Sequence, residues 1–183
     1  MGFARFGRVK NMSFVLYLDF DGVLHPECVY RTSKGPWLQT PDHKLFENEG
    51  ILEEVLAPYP AVRIILSTAW LLWRGGYSYA KRQLSPALQQ RVIGATYHKR
   101  YTRRDEYVET PRGLQIWTDV QRRCPHGWLA LDDDYEHWPA WCRDRLVRTH
   151  PVFGIAEPGV LLELQLKLKV MHCHMPAANK AND

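Results

Sequence analysis

Polar side chains with catalytic potential directly follow three short apolar runs of this chain. They are Asp19 and Asp21 in VLYLDFDGVLHP, Ser67 and Thr68 in ILSTAW, and Asp132, Asp133 and Asp134 in LALDDD. A single acid after a strand is usually a turn residue or a helix cap. Several carboxylates at one edge of a sheet would repel one another unless a cation lay among them. Such all-oxygen ligands suit Mg2+, so the pattern favours a magnesium site.

These residues need a fold that brings the ends of several strands together. Apolar runs of strand length alternate with helix-like segments, which is the pattern of a parallel sheet buried on both faces. The alternation predicts an α/β fold: a doubly wound, Rossmann-like, three-layer sandwich around a mainly parallel sheet. Its ligands are expected at the carboxyl ends of the strands. The predicted strands cover residues 15–18, 62–66, 92–95, 128–131 and 146–147.

Apolar residues at spacings of three and four predict the helices between these strands. The predicted segments cover residues 51–56, about 84–92, 114–120 and about 160–170. Asp134 is expected to cap a further short helix over residues 135–142. Phe20, between the two acids of the first run, should point away from them into the core.

The length and composition predict one compact domain. The chain has 183 residues, of which 45% are hydrophobic. A basic leader over residues 1–12, a catalytic domain over 13–171 and a polar tail over 172–183 are expected. The leader lacks the apolar stretch of a secretory signal, and no apolar run is long enough to cross a membrane. The four cysteines lack the C-x-x-C spacing of metal-binding or redox motifs. These features predict a cytoplasmic protein with reduced thiols and no membrane partner, and leave its oligomeric state open.

The order of the polar groups resembles a known superfamily. Four features of the chain resemble, in this order, the four motifs of the haloacid dehalogenase-like (HAD) phosphohydrolases. They are D-x-D-G-V after the first strand, a hydroxyl after the second, a later basic residue, and D-D after another strand. The likeness covers residues 15 to about 168. More narrowly, FDGVLHP, STAW and LALDDD resemble a small HAD branch associated with RNA-repair proteins. The resemblance implies a Mg2+-dependent phosphatase that forms an aspartyl-phosphate.

The resemblance also implies a role for each residue of the first and fourth motifs. Asp19 would attack phosphorus as the nucleophile and ligate the metal. Asp21 would protonate the leaving group and then activate water, while its backbone carbonyl binds Mg2+. Gly22 would permit the sharp turn that directs both side chains at one phosphate. Asp132 and Asp133 would hold Mg2+ directly or through water.

The second and third motifs leave alternatives open. Thr68 is preferred over Ser67 as the hydroxyl that binds the phosphoryl oxygens, because T-A-W resembles the T-A-S of related phosphatases. For the basic residue, Arg112 competes with Arg103 and Arg104. Arg112 opens a predicted helix, whose positive end would also face an anion.

Three aromatic or imidazole side chains near the motifs are ambiguous. Trp70 and Trp73 follow the second motif and would either wall the pocket or pack in the core, the commoner use of such a pair. His25 would either contact a substrate or fill the turn after the first motif. No role is assigned to any of the three.

The segments between the motifs are too short for a large cap domain, so the resemblance implies an open site and a large phosphorylated substrate, such as an RNA or DNA end. A basic patch that includes Arg100, Arg103 and Arg104 interleaves with tyrosines and fits nucleic acid. A solvated loop is the plainer interpretation of this patch. Two other functions remain open: a small-molecule, nucleotide-like phosphatase, and a non-catalytic binding module with the HAD fold.

Overall fold

The computed structural model describes residues 14–173 of the protein. Its central sheet has five parallel strands in the order β5-β4-β1-β6-β7. All five predicted strands are present, and the α/β, Rossmann-like class is confirmed. The strands are β1 (Phe14–Leu18), β4 (Val62–Leu66), β5 (Val92–Ala95), β6 (Gly127–Asp132) and β7 (Leu146–Arg148).

Helices cover both faces of this sheet, which gives three layers. They are α1 (Glu49–Leu56), α2 (Gly76–Gln83), α3 (Pro86–Arg91), α4 (Arg104–Glu109), α5 (Arg112–Arg123) and α6 (Pro158–Cys173). Leu16 and Leu18 of β1 face a core that includes residues of α1 and α6. Val15 and Tyr17, at the alternate positions, face a second core that includes residues of α5. The central strand β1 is buried along its whole length because each face has its own helical cover.

Two of the predicted helices are not present as predicted. The segment 84–92 is not one helix: the Ser85 side chain accepts a hydrogen bond from the N–H of Leu88 and starts α3 at Pro86, while Val92 already belongs to β5. The predicted helix over 135–142 is wrong. Turns and a 3-10 helix, Ala140–Arg145, replace it. The Asp134 side chain accepts a hydrogen bond from the N–H of Glu136, and its backbone carbonyl accepts one from Trp138 Nε1.

The last helix α6 is longer than predicted and continues to Cys173, past the start of the expected polar tail. The expected leader and residues 174–183 of the tail lie outside the described residues, so the domain boundaries stay predictions. Among residues 14–173, no helix has the length and hydropathy needed to cross a bilayer.

A small antiparallel hairpin lies between the first and second motifs and was not predicted. Its strands are β2 (Val29–Thr32) and β3 (Gly35–Leu38), with Tyr30 paired to Trp37 across the hairpin. It is the largest regular element inserted between β1 and α1 in the described chain. The expected absence of a large cap between these two motifs therefore fits the observed fold.

Candidate active site

The register of the sheet brings three polar strand ends to one edge. Leu18 of β1 pairs with Leu66 of β4 on one side and with Leu131 of β6 on the other. The N–H of Asp19 then donates to the Leu131 carbonyl at 3.1 Å, which continues the ladder one residue further. Because the strands are parallel, the residues that follow these leucines emerge side by side at the carboxyl end of the sheet.

Three carboxyl groups of this edge lie together. Single carboxylate oxygens of Asp19, Asp132 and Asp133 are all within 4.8 Å of one another. Burial raises the pKa of Asp19 to about 6, and the charge of Asp21 adds to the rise. Burial, with the charges of Asp19 and Glu27, raises the pKa of Asp133 to about 7. Burial likewise raises the pKa of Asp132 well above its ordinary value. A cation here would relieve this repulsion and favour the ionised carboxylates.

Arg112 lies between two of these acids. Its guanidinium NH2 nitrogen is 3.2 Å from Asp19 Oδ2, and its Nε is 3.2 Å from Asp132 Oδ2. Burial by itself would lower the pKa of this guanidinium, but the attraction of Asp19 and Asp132 outweighs burial and raises it. Of the three arginines considered for the third motif, Arg112 is therefore the one that reaches the carboxylates.

Gly22 makes room for the carboxylate of Asp133. Its φ is +66°, and a Cβ at this position would lie 2.4 Å from Asp133 Oδ2. The Gly22 carbonyl also accepts a hydrogen bond of 2.6 Å from the buried hydroxyl of Thr149, beyond the end of β7. The glycine thus serves two needs: a left-handed turn, as the sequence suggested, and close approach of the Asp133 carboxylate.

The two hydroxyls after β4 have different surroundings, although both side chains are fully buried. Thr68 Oγ1 accepts a hydrogen bond from the N–H of Trp70 and caps the 3-10 helix Ala69–Leu72. The Thr68 side chain also hydrogen-bonds Asp19, which lowers the pKa of that carboxyl. Ser67 Oγ has no hydrogen-bond partner among the described residues. The geometry places the Thr68 side chain, and not that of Ser67, in contact with Asp19.

Asp21, the second acid of the first motif, is not part of the three-carboxylate cluster. Its side chain accepts hydrogen bonds from Trp70 Nε1 and contacts His25 Nε2 at 3.0 Å. Its neighbour Phe20 is buried, as predicted. Trp70 and His25 were noticed in the sequence, but no role could be assigned to either. No local sequence pattern indicates that both side chains reach the carboxylate of Asp21.

The three arginines of the predicted nucleic-acid patch have different surroundings. Arg103 is 82% exposed and forms an ion pair with Asp105, and Arg100 lies over the Tyr101 ring at 5.9 Å. Arg104 lines a cavity of about 640 Å³ together with Lys99, His98 and Tyr97, whereas Arg103 lines a different cavity, of about 530 Å³. Nucleic-acid binding by Arg100, Arg103 and Arg104 stays a prediction, and Arg104 and Lys99 are the two cations that line the 640 Å³ cavity.

Another cavity, of about 580 Å³, adjoins the third motif. Arg112 lines it with Tyr107 and Gln115, and Leu72 lines both this cavity and the one beside Arg104. Gln115 donates hydrogen bonds to the carbonyls of Tyr107 and Thr110, which fixes the entrance to α5. None of these lining residues except Arg112 carried a signal in the sequence.

Comparison with known proteins gives a family match. The model of a family described as the HAD domain in Swiss Army Knife RNA repair proteins matches residues 15–160. The matched segment contains every acid of the cluster, Thr68 and Arg112. No curated protein and no solved structure gives a significant match.

Proposed function

We propose that this chain, which belongs to the family of HAD domains in Swiss Army Knife RNA repair proteins, is a Mg2+-dependent phosphatase that works through an aspartyl-phosphate. The observation that carries the proposal is the cluster of Asp19, Asp132 and Asp133 within 4.8 Å, with Arg112 paired to the first two. Asp132 Oδ2 has the 3.2 Å ion pair with Arg112 Nε but accepts no hydrogen bond of good geometry from the described residues, so it still has a lone pair to offer a metal.

Asp19, Asp132 and Asp133 would hold Mg2+ together with the backbone carbonyl of Asp21. Their hard, anionic oxygens are the ligands that this ion prefers. When bound, Mg2+ supplies positive charge to the phosphoryl oxygens and to the acids around it.

The first half of the reaction transfers the phosphoryl group to the protein. The Asp19 carboxylate attacks phosphorus, an oxygen–phosphorus bond forms, and the bond to the leaving oxygen breaks. Asp21 gives its proton to that leaving oxygen. Arg112 and Thr68 provide donors beside Asp19, where they would stabilise charge on the transferring group.

The second half restores Asp19. Asp21, now a carboxylate, takes a proton from water, and the resulting hydroxide attacks phosphorus. The bond between phosphorus and the Asp19 oxygen breaks, which releases inorganic phosphate and the free carboxylate. Both acids return to their starting states, so no further reactant is needed.

For the substrate we propose the phosphate end of a nucleic acid, RNA before DNA. The family's description names RNA repair. The 640 Å³ cavity adds the cations of Lys99 and Arg104 beside the aromatic ring of Tyr97, the combination that binds phosphates and unpaired bases. We expect the protein to act in the cytoplasm, as its sequence predicts.

A small-molecule substrate is the second candidate, favoured by one observation. The cavity beside Arg112 has about 580 Å³, within the range of small-ligand pockets. A free nucleotide would fit a pocket of this size.

Phosphate release from an aryl phosphate with Mg2+, with and without EDTA, tests the activity. Asp19→Asn should abolish turnover while preserving the fold. A wild-type protein that releases no phosphate from a broad panel would instead be a binding module with the HAD fold.

Oligonucleotides with a 3'-phosphate or a 5'-phosphate, compared with free nucleotides, test the substrate. The Lys99→Ala/Arg104→Ala double variant should lose the preference for oligonucleotides, and Arg103→Ala is its matched control because Arg103 lines neither large cavity at the site. Equal rates on free nucleotides and oligonucleotides would favour the small-molecule function.

A further inference from the structure

The carboxylate of Asp21 is held by two buried side chains. Trp70 Nε1 donates to both of its oxygens, at 3.0 Å to Oδ1 and 2.9 Å to Oδ2. His25 Nε2 lies 3.0 Å from Oδ1. The His25 and Trp70 residues are both fully buried, whereas the Asp21 side chain is 24% exposed. The carboxylate is therefore held from inside the protein, while part of the side chain stays accessible to solvent.

The second contact of His25 fixes the direction of its bond to Asp21. Its Nδ1 accepts a hydrogen bond of 3.3 Å from the backbone N–H of Phe46. A neutral imidazole that accepts at Nδ1 carries its hydrogen on Nε2. His25 therefore donates to Asp21. The ring is also packed edge-on against Phe46, with 4.8 Å between centroids, so a flip would break both bonds.

Trp70 is fixed in the same aromatic cluster. It stacks on Trp73 with ring centroids 4.2 Å apart and an interplanar angle of 16°. It also makes edge contacts with Phe20 at 5.6 Å and Phe46 at 5.5 Å. Rotation of the indole would disturb all of these contacts, so the position of its N–H is set by core packing rather than by the site.

The donors divide unequally between the two oxygens of Asp21. Within residues 14–173, Oδ1 accepts from both His25 and Trp70, while Oδ2 accepts only from Trp70. Each carboxylate oxygen offers about two lone-pair sites, so Oδ2 keeps one free. We infer that His25 and Trp70 are positioning residues for the proton donor, and that Oδ2 is the oxygen that carries its proton.

This role rests on the proposed phosphatase activity and specifies its first half. The Oδ2–H bond breaks as the bond between phosphorus and the leaving oxygen breaks, and the proton moves to that oxygen. Since Trp70 Nε1 reaches both oxygens, its bond to Oδ1 holds the carboxyl group in either protonation state. His25 and Trp70 themselves neither gain nor lose a proton.

The dependence of rate on the leaving group tests this role. A 2,4-dinitrophenolate departs without a proton, whereas the alkoxide of 2-phenylethyl phosphate needs one. We compare kcat/KM for these two phosphates, because this quantity covers the step in which the leaving group departs. Their ratio within one protein sample is independent of how much of that sample is folded.

We expect Trp70→Phe and His25→Leu to lose about 10- to 100-fold in kcat/KM on 2-phenylethyl phosphate, as for a misplaced proton donor. On 2,4-dinitrophenyl phosphate the loss should stay within about threefold, because no proton is needed there. His25→Gln, whose amide nitrogen can replace Nε2 as a donor, should recover most of the loss. Trp73→Phe is the matched control, because it changes the aromatic stack but removes no hydrogen bond to Asp21. Its ratio of kcat/KM values for the two phosphates should equal that of the wild type.

The outcomes separate the two claims. Equal losses on both phosphates in Trp70→Phe and His25→Leu would show that these side chains only support the fold, and would overturn the inference while leaving the phosphatase intact. A wild-type protein that hydrolyses neither phosphate would overturn the proposed function itself, and this role with it.

Discussion

A Cβ atom on Gly22 would lie 2.4 Å from the Asp133 Oδ2 atom, closer than any stable contact. The turn after Asp19 and the second acid of the fourth motif therefore occupy adjoining space. This relationship joins two motifs that are more than one hundred residues apart in the chain.

Gly22→Ala should impair the metal site more than the fold. The new methyl group must displace the Asp133 carboxylate, so we expect at least a tenfold weaker activation by Mg2+, measured as the metal concentration for half-maximal phosphate release. The left-handed turn adds a loss of about 1 kcal/mol in the free energy of unfolding, measured with urea.

Gly50→Ala is the matched control for that experiment. A Cβ on Gly50 meets no atom within 4 Å, and the residue lies in α1. Its Mg2+ activation should equal that of the wild type. A Gly22→Ala protein with unchanged Mg2+ activation would show that Asp133 does not need its observed position.

Thr68→Val and Ser67→Ala decide which hydroxyl serves the reaction. The first removes a hydrogen bond to Asp19 and the cap of the 3-10 helix, and should lower kcat/KM by about 10- to 100-fold. The second removes a hydroxyl with no partner in the described chain and should change kcat/KM by less than about threefold. The reverse order would assign the role to Ser67.

Arg112→Lys tests whether one charge is enough at this position. A lysine keeps the positive charge but has no planar group to reach Asp19 and Asp132 together. We expect a loss of about 100-fold in kcat/KM on an aryl phosphate, with the far-UV circular dichroism unchanged. The exposed Arg103→Lys should match the wild type, and the same loss there would contradict the assignment.

The metal-free protein should lose stability as the pH rises from 5 to 8. In the unfolded chain, aspartates release their protons near pH 4. In the fold, burial raises the pKa of Asp19 to about 6 and that of Asp133 to about 7, so both keep their protons to a higher pH. Between these limits the native state binds more protons than the unfolded state, so the free energy of unfolding falls as the pH increases. We expect a fall of about 2 kcal/mol, measured by urea unfolding in EDTA.

Mg2+ should reduce that fall, because a bound cation favours the ionised carboxylates. Asp133→Asn should also reduce it in EDTA by removing one of the titrating groups. Metal-free stability that stays level or rises from pH 5 to 8 would contradict the raised pKa values.

The strands and most of the acidic site followed from the sequence. Apolar runs buried on two faces have a plain signature, and in a parallel sheet the residues after such runs must gather at one edge, as Asp19, Thr68 and Asp132 do. Strand order and register decide which ends become neighbours. Only the fold shows β1 between β4 and β6.

The choice among candidates of the same type depended on three-dimensional contacts. Arg103 and Arg112 are both plausible in the sequence, yet only Arg112 reaches Asp19, because α5 begins beside the carboxyl ends of β1 and β6. The helix near residues 84–92 was mispredicted because capping at Ser85 overrode the apolar spacing. The helix near residues 135–142 was mispredicted because Asp134, expected to be its cap, forms a turn instead.

The sequence by itself determined the chemistry available to this protein: its acids, its hydroxyls and their order between buried strands. The tertiary structure alone decided how Asp21 is held, since His25 and Trp70 come from separate segments and their hydrogen bonds depend on the packing of a shared aromatic cluster. The strands and the residues that follow them can be predicted from the sequence because the periodicity of a strand or helix is a short-range property. Contacts between distant segments depend on how the whole core packs.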